Sequence, residues 1–179
     1  LFGMENIAAL RFPAALVTLA LLFFMYMLSR KLTQNKIYAL ITTLVLGTSF
    51  YIIFAGRNGT WDIYAHGFMF IGIYFLFHFF EHTGQAYKNA VLAGLFIGLS
   101  FMSKGPVSHY ALLLPFLIAY GIVYKFSGFR KKLLPLIAML IIIIGLSSWW
   151  RIYIYIMDTA DATRIATKES SRWISYEVK

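Results

Sequence analysis

The sequence has no cysteine and few charged side chains. Without cysteine, disulfide bonds, thiolate catalysis and cysteine metal sites are all excluded. Only 13% of the 179 residues are charged, whereas 60% are hydrophobic and the mean hydropathy is +0.73. A soluble domain carries about 25% charged residues, so the shortage of charge predicts an integral membrane protein instead. A signal-peptide pattern is also missing and the first residue is Leu1, so we expect an internal part of a longer chain.

Long hydrophobic runs fill most of the sequence. A hydrocarbon core of about 30 Å needs roughly 20 apolar residues in a helix. The expected fold class is therefore an all-α, polytopic transmembrane bundle of about six spans within residues 1–150. Residues 151–179 mix charged and apolar side chains, which predicts an outward-facing interfacial segment at the start of an extracytoplasmic loop. The predicted spans are 12–29, 37–55, 61–80, 89–103, 107–124 and 133–150.

The basic residues between these runs predict the orientation. Loops on the cytoplasmic side of a membrane are enriched in Lys and Arg, so the side with more of them is expected to be cytoplasmic, with both termini outward. This topology accounts for most of the net charge of +9, and nucleic acid is therefore not an expected partner. Arg30, Lys31, Lys36, Lys88, Lys125, Arg130, Lys131 and Lys132 fall on the predicted cytoplasmic side, and Arg11, Arg57 and Lys104 on the other.

A turn is predicted inside the apolar tract 90–124. As one straight helix this tract would reach about 52 Å, which is longer than the hydrocarbon core. Gly105 tolerates unusual backbone dihedrals and Pro106 suits the first turn of a new helix, so the chain is expected to reverse there. Before the turn, small residues recur every four positions, a spacing that lets another helix approach closely. They are Ala90, Gly94 and Gly98.

Asp62 and His66 lie four residues apart near the outward start of the third span, on one helical face. An acid in the first helical turn complements the helix dipole, so Asp62 is explained either as a helix-start charge or as a functional group. His66 is explained either as a hydrogen-bonded membrane histidine or as part of a proton relay or metal pair.

Lys104 comes directly before a predicted helix start, where the helix dipole favours anions rather than cations. A bound phosphate would remove this conflict, because the lysine and the free N–H groups of the helix start would both face it. Arg57 begins the neighbouring outward loop. Lys104 and Arg57 are therefore predicted to bind an anionic lipid headgroup, and the alternative is a lysine that snorkels at a tight turn.

Three motifs carry a family resemblance: "FGMENIAALRFPAAL", "AGRNGTWD" and "GLFIGLSFMSKGPV". In this order and spacing they resemble integral-membrane glycosyltransferases of the GT-C type, above all the lipid A aminoarabinose transferases and the protein O-mannosyltransferases. The resemblance covers nearly the whole chain. The matching residues are Glu5, Asn6, Arg11, Phe12 and Pro13 in the first motif, Arg57 and Asp62 in the second, and Gly94, Gly98, Lys104, Gly105 and Pro106 in the third.

The resemblance implies transfer of a sugar from a polyprenyl-phosphate carrier to a lipid, protein or glycan acceptor on the outer face of a bacterial inner membrane. Lys104 and Arg57 would bind the lipid phosphate, and Asp62, Gly105 and His66 would line the site. In this resemblance Asp62 would either position a basic group or, as in some relatives, lie near a divalent cation, which is the one cofactor that the resemblance suggests. The catalytic carboxylates of the family lie in an earlier loop, so they are expected upstream of Leu1 and no catalytic residue is expected in this chain.

The alternative function is a segment of a polytopic transporter with an anion- or proton-linked path, because charged groups within membranes mark such paths. A transporter site belongs near the membrane midplane. The candidates Lys104, Asp62 and His66 instead cluster at one predicted surface, which favours the enzyme.

Overall fold

The structure is a computed structural model that describes residues 7–81, 84–125, 132–149, 152–153 and 155–157, and the elements in these ranges are helices. The all-α fold class is therefore confirmed. Within these described ranges, three helices are long and apolar enough to cross a membrane, and a bent pair forms a fourth candidate. Six spans and outward termini stay predictions, and most of segment 151–179 lies outside the described residues. The helices are α1 (Ile7–Thr33), α2 (Lys36–Gly47), α3 (Phe50–Asn58), α4 (Trp61–Glu81), α5 (Ala86–Lys104), a π-helical turn (His109–Leu113) that continues into α6 (Leu114–Tyr124), and α7 (Leu133–Trp149).

The first two predicted spans differ from the helices that form. α1 begins at Ile7, so Arg11 lies within a helix rather than in a loop. A long aliphatic stem lets an arginine reach the surface while its backbone stays helical. The run 37–55 is divided, because α2 and α3 meet at 58°.

Hydroxyl groups terminate α2. The Thr48 N–H and the Thr48 Oγ1 both donate to the Leu44 carbonyl, at 2.8 and 2.7 Å, and the Ser49 Oγ donates to the Leu46 carbonyl at 2.7 Å. Such side-chain bonds compete with the helical ladder. The helix therefore ends, and α3 starts in a new direction within one continuous apolar run.

α4 contacts α1, α3 and α5, and of the three long described helices it is the most buried. α1 crosses it where Gly67 meets Val17, and a Cβ added at Gly67 would lie 2.4 Å from the Val17 Cγ1. α5 runs antiparallel to α4, and the buried Ser100 Oγ donates to the Ala65 carbonyl at 2.7 Å. This hydrogen bond between two helices fixes their register one turn away from Asp62 and Lys104.

The small-residue stripe of α5 faces α7. A Cβ on Gly94 would lie 2.9 Å from the Met139 carbonyl oxygen, and a Cβ on Gly98 would lie 2.7 Å from the Leu146 Cδ1. Ala90 is fully buried on the same helix. The close helix approach expected from the spacing is therefore present, and its partner is α7.

The chain reverses at Gly105 and Pro106. Gly105 has φ 68° and ψ −150°, and its N–H donates to the Phe101 carbonyl at 2.7 Å. The Pro106 carbonyl accepts from the N–H groups of His109 and Tyr110 at 3.0 and 3.2 Å, which starts the next helical segment. Only glycine readily adopts the backbone conformation of Gly105.

Gly105→Ala is expected to lower the free energy of unfolding by about 1–2 kcal/mol, the cost of a residue in a backbone region that side chains avoid. Steric crowding contributes nothing, because a Cβ at Gly105 would meet no atom within 4 Å. Gly84→Ala is the matched control, since Gly84 has equally open surroundings and no positive φ. Denaturation in mixed micelles measures both, and equal losses would contradict the conformational explanation.

Candidate functional site

An ion pair joins α4 and α5 at the end of the bundle where α5 stops. The Lys104 Nζ contacts the Asp62 Oδ1, and the two residues are 42 positions apart in the sequence. Antiparallel packing brings the last turn of α5 beside the first turn of α4, which places the two side chains together. The Lys104 side chain is 42% exposed and that of Asp62 21%, so a ligand can reach the lysine.

Two further side chains surround Asp62. The Tyr51 hydroxyl, from α3, faces the Asp62 carboxylate closely enough to interact with it. The His66 Nδ1 lies 2.7 Å from the Asp62 carbonyl oxygen and, since a carbonyl only accepts, donates to it. The His66 ring also packs edge-on against Tyr51, with ring centroids 5.6 Å apart. We call Tyr51, Asp62, His66 and Lys104 the Lys104 cluster.

The contacts in the cluster distinguish between some of the alternative explanations of Asp62 and His66. Asp62 is more than a helix-start charge, because it pairs with Lys104. His66 is a hydrogen-bonded histidine, as one of its two explanations required. Among the described residues, no group of three or more His, Asp or Glu side chains could hold a metal ion, and a divalent cation at Asp62 stays a prediction.

Asp62 also changes the electrostatics expected around Lys104. From the sequence, the cation beside a helix start needed an external anion. The structure supplies a carboxylate from the same chain, and this contact holds the lysine in place. A lysine ammonium has three N–H donors, and within the described residues only Asp62 accepts from it. Lys104 is thus oriented by Asp62 and still able to donate to a second anion.

Arg57 and Gly105 occupy different places. Gly105 follows Lys104 directly and forms the turn beside the cluster. Arg57 lies exposed in the last turn of α3 and lines a groove of about 420 Å³ between α1 and α3. In the described part of the chain, no hydrogen bond or ion pair links Arg57 to the cluster, so its role beside Lys104 stays a prediction. Glu5 and Asn6 of the first motif lie outside the described residues.

Tyr51 is the member of the cluster that the sequence did not indicate. It lies within the predicted span 37–55, among many aromatic residues of the sequence, and no spacing relates it to Asp62 or Lys104. Its position depends on the bend at Thr48 and Ser49, which turns α3 toward the start of α4. The nearest sequence signal is the Thr-Ser pair itself, since both residue types can bond back to the helix that they end.

Apolar helices with a lysine–carboxylate pair at their ends define a polytopic membrane protein with a polar site at one surface. A family model described as dolichyl-phosphate-mannose-protein mannosyltransferase matches residues 1–151. The chain belongs to this family, and the GT-C resemblance read from the motifs is confirmed. Membership of a glycosyltransferase family favours the enzyme over the transporter.

Among curated proteins, an uncharacterized protein of Aquifex aeolicus (strain VF5) is similar to this chain. The two are 26% identical over an alignment 179 residues long. The alignment covers 97% of this chain and 34% of the relative. The chain thus spans about a third of the length of this relative. No solved structure matches the chain.

Proposed function

We propose that the chain is the part of a membrane glycosyltransferase that binds the phosphate of a polyprenyl-phosphate-linked sugar donor. The sugar is transferred to a lipid, protein or glycan acceptor on the outer face of the membrane. We propose that this membrane is the bacterial inner membrane. The observation that carries the proposal is the pairing of Lys104 with Asp62 at a surface end of the bundle, in a chain of the mannosyltransferase family.

Lys104 has the chemistry that this reaction needs. When the bond between the sugar and the lipid phosphate breaks, negative charge accumulates on the departing phosphate, and a positioned cation stabilises it. Lys104 supplies that cation, and the Asp62 carboxylate orients its ammonium group. Tyr51 in turn lies beside Asp62, so that residues from three helices surround one amine.

The remaining parts of the site are proposed by resemblance. Arg57 contributes a second positive charge to the phosphate, and Gly105 lets the backbone turn away beside it. A divalent cation, if the enzyme uses one, is held near Asp62. The carboxylate that acts on the acceptor hydroxyl is proposed to lie outside residues 1–179.

Lys104→Ala tests the phosphate role in the protein that carries this chain, reconstituted in lipid nanodiscs. We expect the Kd for polyprenyl phosphate to rise roughly tenfold to a hundredfold, because a hydrogen bond to a charged group contributes about 1.5–3 kcal/mol. Asp62→Asn is expected to weaken binding less, since the lysine is retained but loses its orienting partner.

Lys88→Ala is the matched control. Lys88 is an exposed lysine at the opposite end of α5, so its removal changes the net charge by the same amount on the same helix. A similar loss of donor binding in both alanine variants would show that general charge matters rather than the Lys104 site, and the proposed phosphate role would then be wrong.

A further inference from the structure

A second cavity lies between α5, the π-helical turn and α7, next to the turn at Gly105. Its volume is about 380 Å³. It differs from the Lys104 cluster because no formally charged residue is found among its described lining residues. The lining residues are Phe101, His109, Ile143, Ile144, Ser147 and Ser148.

Several polar atoms in this cavity have no hydrogen-bond partner in the part of the chain that the structure describes. Both ring nitrogens of His109 and the Ser147 Oγ are buried, and none has a hydrogen-bond partner among the described residues. Buried polar groups in native proteins are nearly always hydrogen bonded, because leaving them unpaired costs free energy. Two such side chains on different helices, lining the same cavity, point to a ligand that pairs with both.

Pro115 explains why His109 lies in a π-helical turn that faces the cavity. The Leu114 N–H donates to the His109 carbonyl, five residues back, which is the π-helical pattern. Pro115 follows and has no N–H group to donate the next α-helical hydrogen bond. A π-helical turn contains one residue more than an α-helical turn, and here that residue lies in the turn directly before Pro115. π-helical turns shift side chains around the helix and frequently occur at functional sites. Here the His109 ring packs edge-on against Phe101, with ring centroids 5.4 Å apart.

The chemistry of the walls identifies the class of ligand. A neutral imidazole carries one donor and one acceptor, and a serine hydroxyl carries both. Together they match an uncharged hydroxyl group, which also donates and accepts. Because the described lining residues carry no formal charge, an ionised group beside them would be desolvated and unpaired, which is costly. Phe101, Ile143 and Ile144 supply an apolar surface for an adjoining hydrocarbon part.

We infer that this cavity binds the hydroxyl group of an amphipathic, uncharged ligand through His109 and Ser147. Two sources share this chemistry: the sugar of a glycolipid, and a long-chain alcohol. The inference goes beyond the proposed phosphate site and is tested by different variants and different probes.

The experiment uses nanodiscs of the protein with ¹⁵N-labelled histidine. The sequence has four histidines, and the His109 signals are assigned by their loss in His109→Leu. The probes are octyl β-glucoside below its micellar concentration, for the sugar source, and 1-octanol, for the alcohol source. We expect a saturable shift of the His109 nitrogen signals with at least one probe, and roughly tenfold weaker binding in Ser147→Ala, as loss of one hydrogen bond implies.

Octane, which has the chain but no hydroxyl, separates recognition from apolar filling. If octane shifts the His109 signals as much as the alcohols do, or if neither alcohol shifts them, the cavity does not recognise hydroxyl groups and the inference is overturned. A response to one alcohol alone identifies the source, and a response to both supports the shared hydroxyl.

Thermal unfolding gives an independent test. Because His109→Leu removes two buried nitrogens that have no partner among the described residues, its Tm without ligand is expected to stay within a few degrees of the wild-type value or to rise. A large fall in Tm would mean that the nitrogens are satisfied in the native protein, and the inferred site would be wrong.

Discussion

Gly94→Val is expected to lower the free energy of unfolding by about 3 kcal/mol, because inserting bulk into a packed helix contact forces backbone shifts. The Met139 carbonyl oxygen and Cα would lie 2.9 and 3.2 Å from the first added carbon. These are backbone atoms, which cannot rotate away as a side chain does. α5 and α7 must therefore separate along part of their interface. Denaturation in mixed micelles, followed by circular dichroism, measures the loss.

Gly145→Val is the matched control, because Gly145 lies on α7 and a Cβ there would meet no atom within 4 Å. Valine also has a better helix propensity than glycine, so the control is expected to be neutral or slightly stabilising, within about 0.5 kcal/mol. Comparable losses in the two variants would show that Gly94 does not form the close contact with α7.

Lys132→Met is expected to lower the free energy of unfolding by about 2–3 kcal/mol, because two helix-end carbonyls lose their donor. The Lys132 Nζ donates to the Phe79 and Phe80 carbonyls, at 2.7 and 2.8 Å, in the last turn of α4. The residue is only 5% exposed. Burial lowers the pKa of Lys132 because the amine is desolvated. Removing this buried charge offsets part of the loss, so a larger effect is not expected.

The control for Lys132 is Lys88→Met, which makes the same change at an exposed position of α5. Surface substitutions of this kind usually stay within about 0.5 kcal/mol. Thermal unfolding of both variants in the same detergent separates the capping role from a general effect of charge. If Lys132→Met were as stable as wild type, the contacts of Lys132 with α4 would not stabilise the fold.

Much of the site was predictable from the sequence. Lys104, Asp62 and His66 are polar groups in an apolar chain, and the cost of burying such groups limits where they occur. The turn at Gly105 and Pro106 followed from their backbone preferences, and the Gly94 stripe from its spacing. In each case the signal is local, because it depends on residues within one or two helical turns.

Other features depended on contacts between distant parts of the chain. Tyr51 lies beside Asp62 because the chain bends between α2 and α3. Hydropathy does not predict this bend, since the apolar run continues through it. His109 looks like an isolated polar residue in a span until the π-helical turn and α7 are in place. Lys132 is one of several predicted cytoplasmic loop charges, and only the structure shows that its amine caps the end of α4.

The sequence by itself determined that this protein is an all-helical membrane protein of a glycosyltransferase family, since hydropathy and short motifs are properties of contiguous residues. Only the tertiary structure decided that Asp62 pairs with Lys104, that α7 covers the glycines of α5, and that His109 and Ser147 share a cavity. The physical reason is that helix packing depends on the direction and register of whole helices, which small bends and turns set. Side chains 42 positions apart meet only once those directions are established.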